Sequence, residues 1–234
     1  ICLSGIQELG VKYVWTHDAF RVGEDGPTHQ PVEQEAQIRL LEKLKNHSGN
    51  PSFLALRPAD SAETSVAWKM ALENTNSPTG LILSRQGIKD LPTKENSRYQ
   101  EALAAEKGGY LVKEVENPDI ILVANGSEVA TLVSAAQILE AEHGLKVNIA
   151  SVISEGVFRL QSKEYQNSII PKNKPLFGLT AGLPVNLEGL VGDNGKVFGL
   201  EHFGYSAPAT ILDDKFGFTG EKVSKQVLKY LKIK

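Results

Sequence analysis

The sequence predicts an α/β protein: two units with largely parallel sheets flanked by helices, joined by a polar linker. Three observations predict it. Short β-rich runs alternate with longer helical stretches in the order that builds parallel sheets. The alternation breaks once, at the polar stretch 86–109, which carries Pro92 and ends in Gly108-Gly109. The third is size: 234 residues, 41% hydrophobic and 23% charged, suit one large domain or two modest ones with a sizeable core. The first unit takes residues 1–98, with the start of the linker. The second takes residues 99–234.

Each element has a local reason. Lys12-Tyr13-Val14-Trp15-Thr16 is short, β-branched and aromatic, and reads as a strand. A loop follows over 17–31. Residues 32–45 read as a helix, with Val32, Ala36, Leu40 and Leu44 four apart on one face and Pro31 at its start. Phe53-Leu54-Ala55-Leu56 is a second strand. Asp60 opens a helix as N-cap, with Glu63 as its capping-box partner. Thr79-Gly80-Leu81-Ile82-Leu83 is a third strand. The linker holds some helix at 100–105. Beyond it, Ile120-Ile121-Leu122-Val123 is an unbroken apolar run, as a buried strand requires. Ser127 caps a helix that reaches Glu142 and is stopped by Gly144. Residues 147–152, 176–179 and 197–200 are further strands. A surface helix over 220–231 carries Val223, Val227 and Leu231 on one stripe.

Composition narrows the function. Lys and Arg number 25 against 28 Asp and Glu, a net charge of −3, which argues against a dedicated nucleic-acid binder. No apolar run approaches the ~18 residues of a membrane span. The single cysteine, Cys2, is assigned to packing; it excludes a disulfide framework and a cysteine-based zinc site, and favours a cytoplasmic setting. No signal peptide opens the chain. It begins at Ile1 and its one methionine is Met70, so a fragment of a longer protein is expected.

Chemistry concentrates in residues 16–31, Thr-His-Asp-Ala-Phe-Arg-Val-Gly-Glu-Asp-Gly-Pro-Thr-His-Gln-Pro. The stretch holds two histidines, three carboxylates and an arginine. It follows a parallel strand, and ligands of open α/β sheets bind outside the carboxyl ends of strands. Its glycines and prolines fix an unusual path that leaves backbone groups facing a ligand. His29, just before a helix start, is expected to be a neutral proton acceptor. The competing reading makes Asp25-Gly26-Pro27 a plain turn and Glu24 a solvated surface group. His17 and His29 lack the i, i+4 spacing of a helical metal pair, so no metal is assigned.

Secondary candidates sit at other strand ends. Arg85, in Ser84-Arg85-Gln86, offers a guanidinium fork to a phosphate or forms an interdomain salt bridge. Arg57, before Pro58, reads as the partner of a cap or a carboxylate. Gly126-Ser127 reads as an N-cap ahead of an anion site. His202, in Glu201-His202-Phe203-Gly204, has no assigned role.

The run Thr16-His17-Asp18, followed by Gly23-Glu24-Asp25-Gly26-Pro27-Thr28-His29-Gln30-Pro31, resembles the transketolase family. So do Leu56-Arg57-Pro58-Ala59-Asp60, Leu83-Ser84-Arg85-Gln86, Ala124-Asn125-Gly126-Ser127-Glu128 and Phe203-Gly204-Tyr205-Ser206-Ala207-Pro208. The resemblance covers essentially the whole chain. It implies the latter part of a pyrimidine-binding domain over 1–98 and a complete carboxyl-terminal domain over 99–234. The activity implied is two-carbon ketol transfer from a ketose phosphate such as xylulose 5-phosphate to an aldose phosphate such as ribose 5-phosphate. Thiamine diphosphate would act as electron sink, with a divalent metal, magnesium or calcium.

Carried over residue by residue, the resemblance gives His17 and Arg85 to the substrate phosphate and Asp25 to a sugar hydroxyl. It sets His29 beside the reactive carbon and the cofactor's amino group, as catalytic, substrate-binding and cofactor-binding residue. The main ligands of cofactor and metal, and the family's catalytic glutamate, would lie outside this chain. The complete enzyme would be a homodimer acting on sugar phosphates, with no nucleic acid or membrane partner, and the chain alone would be inactive.

Two departures stand out. Many family members carry Ser-Ile-Gly where this chain has Ala19-Phe20-Arg21, and the connection over 41–52 is longer than usual. A dihydroxyacetone synthase-like enzyme and a non-catalytic binding or assembly module remain as alternatives.

Overall fold

The computed structural model describes residues 1–94 and 97–233. In the first unit, α1 (Cys2–Ile6) precedes β1 (Lys12–Trp15), α2 (Gln34–Leu41), β2 (Leu54–Leu56), α3 (Ser61–Glu73) and β3 (Thr79–Ile82). The sheet is wholly parallel in the order β1-β3-β2, with Tyr13 and Ala55 both opposite Gly80. Asp60 caps α3 by accepting from the Glu63 amide at 2.8 Å, while the Glu63 carboxylate accepts from the Ala59 amide at 2.8 Å. The capping box forms as expected, displaced by one residue on its return bond.

Starting at the last residue of the first unit, α4 (Arg98–Ala102) leads into the second unit, which contains β4 (Tyr110–Lys113), β5 (Ile120–Ala124), α5 (Glu128–His143), β6 (Val147–Ser151), α6 (Glu155–Leu160) and α7 (Lys163–Ile169). It ends with β7 (Leu176–Leu179), α8 (Val185–Val191), β8 (Lys196–Phe198), α9 (Ala209–Phe216) and α10 (Gly220–Leu231). The strand order is β4-β6-β5-β7-β8, parallel except for β4, which runs antiparallel at one edge. Every residue of β5 is buried. Ile120, Leu122 and Ala124 face one apolar cluster; Ile121 and Val123 face another. Helices therefore cover both faces of this sheet, as the unbroken apolar run requires. Gly144 ends α5 in a left-handed conformation with φ 64°.

The larger cluster does not stop at the unit boundary. It joins Leu56, Val66 and Leu81 to Leu122, Leu132 and Val223. Phe20, from the loop after β1, is fully buried within it, edge-on to Phe216 and Phe218 at ring separations of 5.1 and 4.9 Å.

Several expectations need correction. The helix expected over 32–45 is only α2, and Leu40 and Leu44 remain 60% and 57% exposed. Its buried residues are Glu35 and Arg39, 2.8 Å apart, because the side facing the second unit is ionic rather than apolar. The linker, read as polar, also carries core residues: Leu91, Ala102 and Ala105 are buried. Arg98 donates to Asp60 at 2.6 Å and also bonds the Tyr110 hydroxyl. Glu95 and Asn96 of that stretch lie outside the described residues. Cys2 is exposed rather than packed. Ser127 stands at the N-cap position of α5, but its hydroxyl turns to the Glu128 carboxylate at 2.8 Å. The long connection over 41–52 is ordered by Glu8, which accepts from the Ser48 amide and hydroxyl at 2.9 and 2.7 Å.

Candidate active site

The 16–31 loop leaves the carboxyl end of β1 and is shaped by two short 3-10 turns, Phe20–Val22 and Pro27–His29. Gly23 and Gly26 have φ values of 92° and 84°, and Ala19 adopts φ 53° without being glycine. The two Thr-His pairs share one device. Thr16 Oγ1 hydrogen-bonds His17 Nδ1 at 2.8 Å, and Thr28 Oγ1 hydrogen-bonds His29 Nδ1 at 3.0 Å. Engaging Nδ1 fixes each ring and leaves Nε2 as the nitrogen available to a ligand. His17 lines a cavity of about 510 Å³ with Trp15, Thr16, Asp18, Gln34 and Ile38. His29 closes a 3-10 turn, and α2 starts only at Gln34, so the expected helix-start environment of His29 does not form.

Asp25 and Arg85 come together. Arg85 Nη1 lies 3.5 Å from Asp25 Oδ2, with both side chains more than a third exposed. The same nitrogen donates to the Val22 carbonyl at 2.5 Å. Both partners sit in the first unit, so this is not the interdomain salt bridge weighed for Arg85. An ion pair this exposed contributes only ~0–1 kcal/mol, so stability is a weak reason for its position.

Beneath the exposed groups lies a buried ionic network that the sequence did not disclose as a unit. Arg57 is almost wholly buried; its Nη2 lies 2.6 Å from Asp18 Oδ2, and its Nη1 pairs with Glu128 Oε2 and donates to Asn125 Oδ1 at 2.6 Å. Its expected role as a carboxylate partner therefore holds. Gly126 makes room for it: with φ 58°, any Cβ there would lie 2.5 Å from the Arg57 guanidinium carbon. Burial works against charge on Arg57, yet Glu128, Asp18 and Glu35 hold its guanidinium protonated well above its ordinary value. Burial likewise pushes the Asp18 carboxyl up, and Arg57 offsets only part of this. Glu128, against its own burial, is held below the ordinary carboxylate range by Arg57 and then Arg21.

The loop and the second unit also hold each other's backbone. Gln30 Nε2 donates to the Gly23 and Tyr205 carbonyls, both at 2.9 Å. Ser206 Oγ donates to the Glu24 carbonyl at 2.5 Å. The Phe203-Gly204-Tyr205-Ser206 stretch thus has a structural purpose, and a side chain at Gly204 would push against the Gln30 amide that makes these bonds. His202 packs edge-on against Phe216 at 5.3 Å.

Residues 1–89 match the transketolase pyrimidine-binding domain, and residues 108–219 match the transketolase-like C-terminal domain. The chain belongs to the transketolase family. A transketolase from Staphylococcus epidermidis is 40% identical over 227 residues, covering 96% of this chain and 32% of the relative. That from Bacillus subtilis is 37% identical over 230 residues, covering 97% and 32%. The chain thus spans about a third of the length of the curated relatives it matches. Among solved structures, transketolase from Leishmania mexicana superposes with a TM-score of 0.85 at 36% identity, covering 98% of this chain and 31% of the other. A Pichia stipitis transketolase in complex with sedoheptulose-7-phosphate gives 0.84 at 36% identity, with the same coverage.

With Nδ1 engaged by Thr28, His29 leaves Nε2 as a nitrogen that would fit the neutral amino group of a transketolase cofactor. Among the described residues, no group of three or more His, Cys, Asp or Glu is placed to hold a metal ion.

Proposed function

We propose that this chain supplies the sugar-phosphate-binding side of a transketolase active site, in an enzyme that moves a two-carbon ketol unit from a ketose phosphate to an aldose phosphate. The observation that carries the reading is the 16–31 loop, which follows β1 and brings Asp25 within 3.5 Å of Arg85. On this reading Arg85 and His17 hold the phosphate through charge-assisted hydrogen bonds. Asp25 accepts from a sugar hydroxyl and penalises an epimer that cannot supply it. His29, with Nδ1 engaged by Thr28, uses Nε2 to hold or move a proton at the reacting oxygen or the cofactor's amino group. Thiamine diphosphate, when bound, supplies the electron sink for the two-carbon unit. Its remaining contacts and its divalent metal, magnesium or calcium, come from outside these residues.

The domain boundary proposed is residue 98/99. The complete enzyme acts as a homodimer on sugar phosphates such as the one named in the Pichia stipitis complex. The single cysteine supports a cytoplasmic setting. The 234-residue chain folds but does not turn over by itself.

A coupled ketol-transfer assay on the complete enzyme, with and without thiamine diphosphate, tests this. Transfer should depend on the cofactor, and Asp25→Ala should reduce the kcat/KM ratio between sugars epimeric at the recognised carbon by about tenfold or more. Asp25→Asn keeps the turn and should keep wild-type folding. Unchanged epimer preference in Asp25→Ala, alongside a lowered melting temperature, would reduce Asp25 to a turn residue.

A further inference from the structure

We propose that Arg21 is a positioning residue for the sugar-phosphate site, latched by Glu128 and Asp213 of the second unit, and that it sets the placement of Arg85. The inference rests on the reading of Arg85 as a phosphate ligand.

Arg21 lies in the middle of the loop, yet its side chain is buried and every polar partner it has among the described residues belongs to the second unit. Nε donates to Asp213 Oδ1 at 2.8 Å on α9. Nη1 donates to Glu128 Oε1 at 2.5 Å and to Ser127 Oγ at 2.8 Å, and Nη2 to Thr131 Oγ1 at 3.1 Å. The guanidinium also packs over the Phe20 and Phe218 rings, 5.4 and 5.9 Å from their centroids. Four acceptors in a fixed fork define one position for the residue, which a point charge could not do.

That position is relayed through the backbone. The Arg21 carbonyl accepts from Gln86 Nε2 at 3.1 Å, and the next carbonyl, Val22, accepts from Arg85 Nη1 at 2.5 Å. Arg85 in turn reaches Asp25 at 3.5 Å. Displacing the Phe20–Val22 turn therefore displaces the guanidinium proposed to meet the phosphate. A second arm fixes the loop entry. The other oxygen of Glu128 pairs with Arg57, which holds Asp18, the residue after His17. Between the arms, Ala19 keeps φ 53°, a conformation a non-glycine residue retains only when its surroundings impose it.

The test uses the complete enzyme with xylulose 5-phosphate and unphosphorylated xylulose as donors. Arg21→Gly should raise KM for xylulose 5-phosphate about tenfold, with a much smaller change for xylulose. In an Arg85→Ala background, Arg21→Gly should add almost nothing, because the relay has lost its end point. Asp213→Asn, which keeps the Arg21 side chain and loosens one contact, should give the same donor-dependent pattern at smaller size if Arg21→Gly does not fold. Equal losses for both donors, or effects of Arg21→Gly and Arg85→Ala that simply multiply, would overturn the latch. Failure of Arg85→Ala itself to distinguish the donors would instead overturn the phosphate reading.

Discussion

Glu128 shows how a single carboxylate sets terms for residues across the chain. It is fully buried, pairs with Arg57 and Arg21 at once, and is held below the ordinary carboxylate range. Because its folded value is lowered, its stabilisation is present above the unfolded value near 4.5 and is lost as pH falls through the folded value. Asp18 has the opposite sign: burial raises it, so its contribution is present at low pH and lost as pH rises through its folded value. Glu128→Gln should therefore cost the chain about 3–5 kcal/mol at neutral pH, since two buried arginines lose their shared partner. In denaturant titrations the gap to wild type should narrow at acidic pH, where the wild-type carboxyl also becomes neutral. A gap independent of pH would show that Glu128 acts by shape alone. Of this network, the sequence exposed Arg57 as a carboxylate partner but neither Asp18 nor Glu128 as its partners. The contacts span 39 and 71 positions along the chain, and no local spacing encodes them.

At the scale of elements, the apolar runs were legible and the ionic interface was not. β5 and α5 follow from an unbroken hydrophobic run and from the glycine that ends the helix. β4 was passed over because it directly follows the Gly108-Gly109 pair that closes the linker, and the short helices α1 and α6 to α9 carry too little periodicity to declare themselves. The error at α2 is more instructive. Val32, Ala36, Leu40 and Leu44 keep helical spacing, but the helix ends at Leu41 and turns Glu35 and Arg39 inward. Asn186 of α8 then donates to Glu35 at 3.2 Å, so the face was chosen by tertiary charge pairing. Leu44→Ala should accordingly change the chain's unfolding free energy by no more than about 0.5 kcal/mol. Arg39→Ala, which strands Glu35 and Glu42, should cost about 3–5 kcal/mol. The reverse order, measured by chemical denaturation, would restore the apolar face as the buried one.

Across the whole molecule, two sheets are legible as two units, yet they share one apolar cluster and one ionic network around the loop. Cooperative unfolding follows. Trp15 and Trp68 both lie in the first unit, so tryptophan fluorescence reports that unit while far-ultraviolet dichroism reports both. The two probes should give one coincident thermal transition; an earlier fluorescence transition would mean that the units are only loosely joined. The loop's resemblance to the family was legible because its residues form a specific run, Gly23 to Pro31, whereas its support from Gln30, Tyr205 and Ser206 needed the fold. The central claim is that this braced loop presents Arg85 to a sugar phosphate. Its most direct measurement compares donors in the complete enzyme carrying Arg85→Ala. KM for xylulose 5-phosphate should rise by about tenfold or more, the loss of a charge-assisted contact, while unphosphorylated xylulose is nearly unaffected. Equal losses for the two donors would contradict the account and leave Arg85 as a brace for the Val22 carbonyl.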